Sequence, residues 1–305
     1  MSSGGGVRLP NFLVIGAPKC GTTSLYEYLR QHPQVFLPAR KELHYFAYPA
    51  LARHAEGPGD RETLAGLCRD HDAYASHYQQ AARAVAVGEV SPSYLYFARE
   101  AIPRIRHTLG RVRIVVMLRN PIMKCHSQYM HLVREGRETL QFAQALDAEV
   151  WRREAGWGDL WRYCESTLYA DRIRAYRRAF GADRVMVLWF EEFVRQPPEV
   201  LARLYAFLGV DSSFRVDTGG VFNRTGRPRS AALARLLSGE TSLKRAARML
   251  LPQGLRHRLR SGLTSINTGV KDPIDGPVYD RLRETFAGDV RKLGDVLGET
   301  PPWDF

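Results

Sequence analysis

Five short apolar runs punctuate the chain: NFLVIG (11–16), QVFLP (34–38), AVAVGEV (84–90), RVRIVVML (111–118) and DRVMVLWF (183–190). Each is rich in Val, Ile or Phe and is continuous rather than alternating in polarity. Strands buried on both faces of a parallel sheet read this way. Between the runs, apolar residues recur at helical spacing over 22–31, 95–108, 121–135, 139–154, 165–179 and 198–208. The alternation predicts an α/β fold, with helices on both faces of a central parallel sheet in three α/β/α layers.

Two segments break the pattern. Residues 49–75, with AEGPGD, read as a loop-rich excursion. Residues 235–275 are strongly basic, with Lys244, Arg245, Arg248, Arg256, Arg258 and Arg260 set among Leu and Met. Three readings stand for 244–260: an amphipathic helix in peripheral contact with a membrane, a lid over an anionic substrate, or a solvated cap. The tail YDRLRETFAGDVRKLGDVLG returns to helical spacing and is expected to pack back on the core. One domain over 1–305 is expected: a flexible tail (1–10), an α/β core (11–210), and a closing region (211–305).

Charge narrows the partners. Lys and Arg number 44 against 32 Asp and Glu, a formal net charge of +12, which favours an anionic partner without choosing one. No apolar run approaches the roughly 18–20 residues of a membrane span. The N-terminus reads as a loose Gly/Ser tail without a leader pattern, so a cytoplasmic location is expected. The four cysteines, Cys20, Cys68, Cys125 and Cys164, are far apart, which predicts free thiols and no metal site.

The chemistry concentrates first in FLVIGAPKCGTTSLYEYLRQHP (12–33). A nucleoside triphosphate loop reads GxxxxGK followed by Ser or Thr, its lysine after the second glycine. Here Gly16 and Gly21 keep the spacing, but Thr22 holds the lysine position and Lys19 lies inside the loop. The helix opening at Thr22, Thr23 and Ser24 still offers N–H groups to a phosphate. Lys19 is then placed to neutralise charge on a leaving oxygen. An anion cradle without an obvious magnesium hydroxyl argues against a kinase or NTPase.

Two further constellations stand beside it. Arg119 ends the run RIVVML, where open α/β sheets bind ligands, and Ser127 follows two turns into the next helix. The pair either share a phosphate or are a surface arginine and an ordinary helical serine. In PARKELHYF (38–46), Glu42 and His44 are two apart, so an extended segment points them the same way. Glu42 either removes a proton from an acceptor or pairs with Arg40 or Lys41.

Taken together, these motifs resemble the sulfotransferases that use 3′-phosphoadenosine 5′-phosphosulfate (PAPS), in particular the heparan-sulfate-type branch and its bacterial relatives. GAPKCGTTSL resembles that family's 5′-phosphosulfate loop, VVMLRNPIMKCHSQY its 3′-phosphate motif, and KELHYF the segment carrying its catalytic glutamate. GEVSPSYLYF, STLYADRIRAYRRAFGADRVMVLWFEEF, FNRTGRPRS and DVRKLGDVLGETPPW follow in the family's order. Leu43, Ala47, Val90 and Thr225 depart from the pattern, so the resemblance implies a donor more narrowly than an acceptor.

The resemblance implies a P-loop-NTPase-like sulfotransferase fold and metal-independent, in-line transfer of a sulfuryl group from PAPS, leaving PAP (3′-phosphoadenosine 5′-phosphate). Glu42 would be the base, aided by His44, and Lys19 would stabilise the leaving phosphate. Lys19, Cys20, Gly21, Thr22, Thr23 and Ser24 would hold the 5′ end of the donor. Arg119 and Ser127 would hold its 3′-phosphate, with Tyr169, Gly226 and Arg227 completing the nucleotide site. The acceptor stays open among a small molecule, a glycan and a lipid, as an O–H or an N–H. The cluster Trp151, Trp157, Trp161 and Tyr163 either floors an acceptor site or is the buried face of a helix. A nucleic-acid-binding module is disfavoured, because the aromatics sit inside apolar runs rather than on one basic face.

Overall fold

A computed structural model describes residues 7–81, 83–217 and 273–305. Its five strands are the five apolar runs: β1 Phe12–Val14, β2 Val35–Phe36, β3 Ala86–Val90, β4 Arg113–Leu118 and β5 Val185–Trp189. They pair in the order β2-β3-β1-β4-β5, every pair parallel. The side chains of β1 and β3 are wholly buried, which is why those runs do not alternate. Gly88 is the exception to bulk in β3. A Cβ there would lie 2.1 Å from the Phe12 ring, so its absence lets β1 pack against β3.

This strand order places β1 between β3 and β4, so the connection from β1 to β2 and that from neighbouring β4 to β5 run in opposite directions. A crevice opens there at the carboxyl ends of the strands. The loop after β1 is fastened to both neighbours. Ile15 and Ala17 donate to Val115 and Met117 of β4 (3.0 and 2.7 Å), and Leu95 beyond β3 donates to Ile15 (2.8 Å).

Helices Thr22–Leu29, Ala98–Leu109, Pro121–Arg134, Ala170–Phe180 and Pro197–Leu208 follow the predicted spacing within a few residues. The 139–154 stretch is two pieces, Phe142–Asp147 and Glu149–Glu154, broken at Ala148. The excursion at 49–75 is more regular than expected, with short helices Tyr48–Arg53, Asp60–Ala65 and His71–Ser76. The tail forms Gly276–Leu297, which packs on Ala170–Phe180 and Pro121–Arg134 through Leu282, Phe286, Val290 and Leu293. Gly226, Arg227 and the basic 244–260 stretch lie outside the described residues.

Candidate active site

At the crevice, a cavity of about 640 Å³ is lined by the segments that leave all five strands. The loop after β1 turns into the Thr22–Leu29 helix through Gly21 at φ 88°. Only glycine serves there, because a Cβ would also lie 2.9 Å from the Phe190 ring. Among the described residues no acceptor takes the N–H groups of Gly21, Thr22, Thr23 or Ser24. Those donors and the helix dipole suit a phosphate. Lys19 lines the same space, and burial, reinforced by Arg134, lowers its ammonium from 10.5 to about 8.

Arg119 emerges from β4 and is buried to 8% exposure. It donates to the Lys19 carbonyl (3.3 Å) and lies over the Phe190 ring, 4.6 Å from its centroid. Asn120 caps the next helix by accepting from Ile122 and Met123 (3.0 and 3.2 Å). Ser127 therefore faces the cavity that Arg119 lines. Its Oγ is buried and has no hydrogen-bond partner among the described residues. Buried hydroxyls are nearly always satisfied, so this orphan, in a wall that also holds the Arg119 guanidinium, fits an anion's oxygen.

Glu42 and His44 both line the cavity, but not for the reason their spacing suggested. The segment is not extended. Both residues are left-handed, at φ 64° and 54°, a region that costs a non-glycine residue of order 1 kcal/mol or more. The end of β3 holds them there: Glu42 N–H donates to the Val90 carbonyl (3.1 Å) and His44 N–H to Ser91 Oγ (3.0 Å). Ser91 Oγ donates in turn to the buried Glu89 (2.6 Å), which also accepts from the Tyr74 and Tyr94 hydroxyls. The Tyr94 hydroxyl accepts from Phe46 N–H (3.3 Å). The motif GEVSPSY thus shapes the turn that carries KELHYF.

The imidazole Nε2 of His44 sits 3.8 Å from Glu42 Oε2, and its Nδ1 shares a 2.5 Å hydrogen bond with Ser93 Oγ. Lys41 contacts the other oxygen of Glu42, so the surface pairing is present alongside the cavity position. Burial alone would raise the Glu42 pKa. The charge of Lys41 and the hydrogen bond from His44 overcome it and hold the carboxyl well below its usual range.

Two expected residues sit elsewhere. Cys20 is fully buried and is not in the cavity wall; its N–H donates to the Ala17 carbonyl (3.3 Å), and burial pushes its thiol up to about 11. Tyr169 is also buried outside the wall, and its hydroxyl donates to the Arg119 carbonyl (3.2 Å). Both brace the site from behind. The tryptophans Trp151, Trp157 and Trp161 meet edge to face around Arg152, with Trp161 and Tyr163 buried and Trp151 half exposed, and none of the cluster lines this cavity. Sequence reasoning missed His131, Arg134, Ser93 and Asp159, all in the cavity wall. Ser127, His131 and Arg134 are spaced i, i+4, i+7 on one helix, a face that periodicity could have exposed.

A parallel sheet with a phosphate-type loop after its central strand and a second cationic position after the next defines the P-loop-like class of α/β transferases. Within that class the chain belongs to the sulfotransferase family, whose sequence model matches residues 10–214. The crystal structure of a sulfotransferase from Alicyclobacillus acidocaldarius superposes at a TM-score of 0.76 and 32% identity, covering 96% of this chain and 97% of that one. Human heparan sulfate glucosamine 3-O-sulfotransferase 3B1 is 26% identical over 99% of this chain and 67% of its own length. Mouse sulfotransferase SULT7A1, solved in complex with PAP, shares the fold at a TM-score of 0.50 and 16% identity, over 96% of this chain and 88% of that one. The chain spans between 22% and 67% of the length of the curated relatives it matches. Family membership sets aside the kinase and nucleic-acid readings.

Proposed function

We propose that this chain transfers a sulfuryl group from PAPS to a hydroxyl or amine of a small-molecule, glycan or lipid acceptor. The observation that carries the choice of donor is the pair Arg119 and orphaned Ser127 Oγ, a second anion position beside the helix-start cradle. A donor with one phosphate group would leave one of the two positions unused. The PAP complex of the mouse neighbour agrees with this reading.

The donor supplies a sulfuryl group whose bond to the 5′-phosphate breaks as the acceptor's oxygen or nitrogen bonds sulfur, the electron pair leaving on the phosphate. Lys19 and the N–H groups of Gly21 to Ser24 meet that developing negative charge, where electrostatic help lowers a barrier most. Glu42, held ionised by Lys41 and His44, takes the acceptor's proton as its atom bonds sulfur. His44, fixed by Ser93, orients that carboxylate. A sulfuryl group carries less charge than a phosphoryl group, so these donors suffice without a metal. Among the described residues no helix is long and apolar enough to cross a membrane. The four free cysteines suit work in the reducing cytosol.

Calorimetric titration with PAP, AMP and ATP–magnesium at two salt concentrations tests the donor. PAP should bind tightly and the others weakly, and Arg119→Ala should cost PAP far more than AMP. PAP binding no better than AMP would remove the second phosphate site and the PAPS reading with it.

A further inference from the structure

Asp159 lines the same cavity as Glu42 and His44, yet the reaction above gives it nothing to do. It opens the one-turn helix Asp159–Trp161, and that turn is pinned from behind. Gly158 N–H and Trp161 Nε1–H donate to the two oxygens of buried Asp60 (2.8 and 3.1 Å). Gln128 Nε2, fully buried, donates to the carbonyls of Asp159 and Leu160 (3.3 and 3.0 Å). Asp60 is itself paired with Arg137. The backbone is therefore fixed by buried groups.

The Asp159 carboxylate, in contrast, takes no hydrogen bond from any other residue and has no ion-pair partner among the described residues; its one donor is its own backbone N–H. Burial raises its pKa; His44, Lys124 and that N–H act against the rise, and Asp60 adds to it. Asp159 is half-buried, so its carboxylate faces the cavity and is open to a donor arriving from it. Glu42 is different, because Lys41 and His44 already engage it. The rest of the wall narrows what arrives. The inserted segment 48–76 contributes Leu51, Thr63 and Leu67, none of them charged, and Leu160 stands next to Asp159. Of the cationic residues in the wall, Lys19 and Arg119 are committed to the donor's phosphates, and Arg134 is hydrogen-bonded to His131 (2.9 Å).

We propose that Asp159 is an acceptor-binding residue: it accepts a hydrogen bond from a hydroxyl or ammonium beside the group being sulfated, and with Leu51, Leu67 and Leu160 it selects a neutral or cationic acceptor with an aliphatic flank over a polysulfated chain. This rests on the sulfotransferase reading and adds the acceptor class. The anionic side chain repels sulfate groups at the position where they would have to sit. The leucines favour an alkyl or ring face at the same place.

The test uses the full chain, labelled PAPS, and three probes. These are n-octyl β-D-glucoside below its micelle concentration, 1-octanol, and chondroitin sulfate. The glucoside has neighbouring hydroxyls on an alkyl flank, octanol lacks the neighbours, and the polymer is polysulfated. The wild type should favour the glucoside over octanol at least about tenfold in kcat/KM and ignore the polymer. Asp159→Asn should raise the glucoside KM about tenfold with a much smaller change in kcat, so that its advantage over octanol collapses. Asp159→Glu should restore part of it, which a merely structural role would not. PAP affinity, read by calorimetry on the same variants, should stay at its wild-type value. The proposal is overturned if Asp159→Asn leaves the glucoside KM unchanged, if chondroitin sulfate is the best substrate, or if PAP-loaded protein neither binds nor sulfates the glucoside. Loss of PAP binding in the wild type itself would instead count against the donor reading.

Discussion

Nucleotide binding should draw a proton onto Lys19, and the size of that uptake follows from the site. In the free protein burial, with Arg134 second, lowers the Lys19 ammonium from 10.5 to about 8. A nearby phosphate favours the charged form, so bound PAP should return the pKa towards 10.5. At pH 9 the free protein holds about one-tenth of Lys19 protonated and the complex nearly all of it, an uptake of about 0.9 proton. At pH 7 the same arithmetic gives about 0.1. A difference of 2.5 units at 1.36 kcal/mol each is at most about 3.4 kcal/mol, or roughly 300-fold in affinity. That affinity is fully present below pH 8 and falls about tenfold per unit until 10.5. For the unliganded fold the sign is opposite. It binds fewer protons than the unfolded chain between 8 and 10.5, so stability rises with pH across that window. Calorimetry at pH 7 and 9, in buffer pairs of different ionisation enthalpy, reads the protons directly. The phosphates of PAP, with second ionisations near pH 6, are fully charged at pH 9. Uptake below about 0.3 proton at pH 9, or uptake that survives Lys19→Met, would refute the reasoning.

Other perturbations separate binding from folding. Ser127→Ala removes a hydroxyl with no partner among the described residues, so urea unfolding should be unchanged or slightly more resistant, while PAP binds about tenfold more weakly and AMP does not. Glu42→Gln should nearly abolish labelled transfer and leave PAP titrations largely intact; near-normal turnover would remove the base assignment. Arg152→Ala leaves Glu138 buried without the guanidinium that holds it at 2.6 and 3.0 Å, and chemical denaturation should show a loss of about 3 kcal/mol. Lys124 is fully buried and donates to Ser166 Oγ at 2.7 Å, with its pKa lowered by burial to about 8. Lys124→Met should therefore gain about 1–3 kcal/mol at pH 7. The gain should shrink between pH 8 and 10.5, as the wild-type fold sheds that proton before the unfolded chain does; an equal gain at every pH would contradict it.

The donor side of the site was legible because its geometry is local. A strand, a turn closed by Gly21 and a helix beginning at Thr22 define the cradle within eleven residues of chain, and Lys19 belongs to that same turn. Arg119 could be placed from the end of β4 alone. The turn at Glu42 and His44 could not. Its left-handed backbone is imposed by Val90 and Ser91, which come from a strand more than 40 residues later, and no propensity of Glu or His predicts it. Cys20 and Tyr169 were expected in the wall because they belong to matching motifs, but adjacency in sequence does not settle which way a side chain points. Asp159 had no periodic signal at all, since Asp60 and Gln128, distant in sequence, place it.

Glu89 ties two stretches of sequence into one working part. Its carboxylate reaches Ser91 and Tyr94, and through them the backbone of His44 and Phe46. Segments 41–46 and 89–94 are therefore not separately portable. A chimera that imports either from a relative should lose the turn unless it imports both. Tyr74 and Cys68, in the same excursion as Leu51, Thr63 and Leu67, reach this part too: Tyr74 donates to Glu89 (2.7 Å) and Cys68 N–H to the Leu43 carbonyl (3.1 Å). An exchange meant to change acceptor preference and keep the catalytic turn therefore replaces Leu51, Thr63 and Leu67 and keeps residues 68–74.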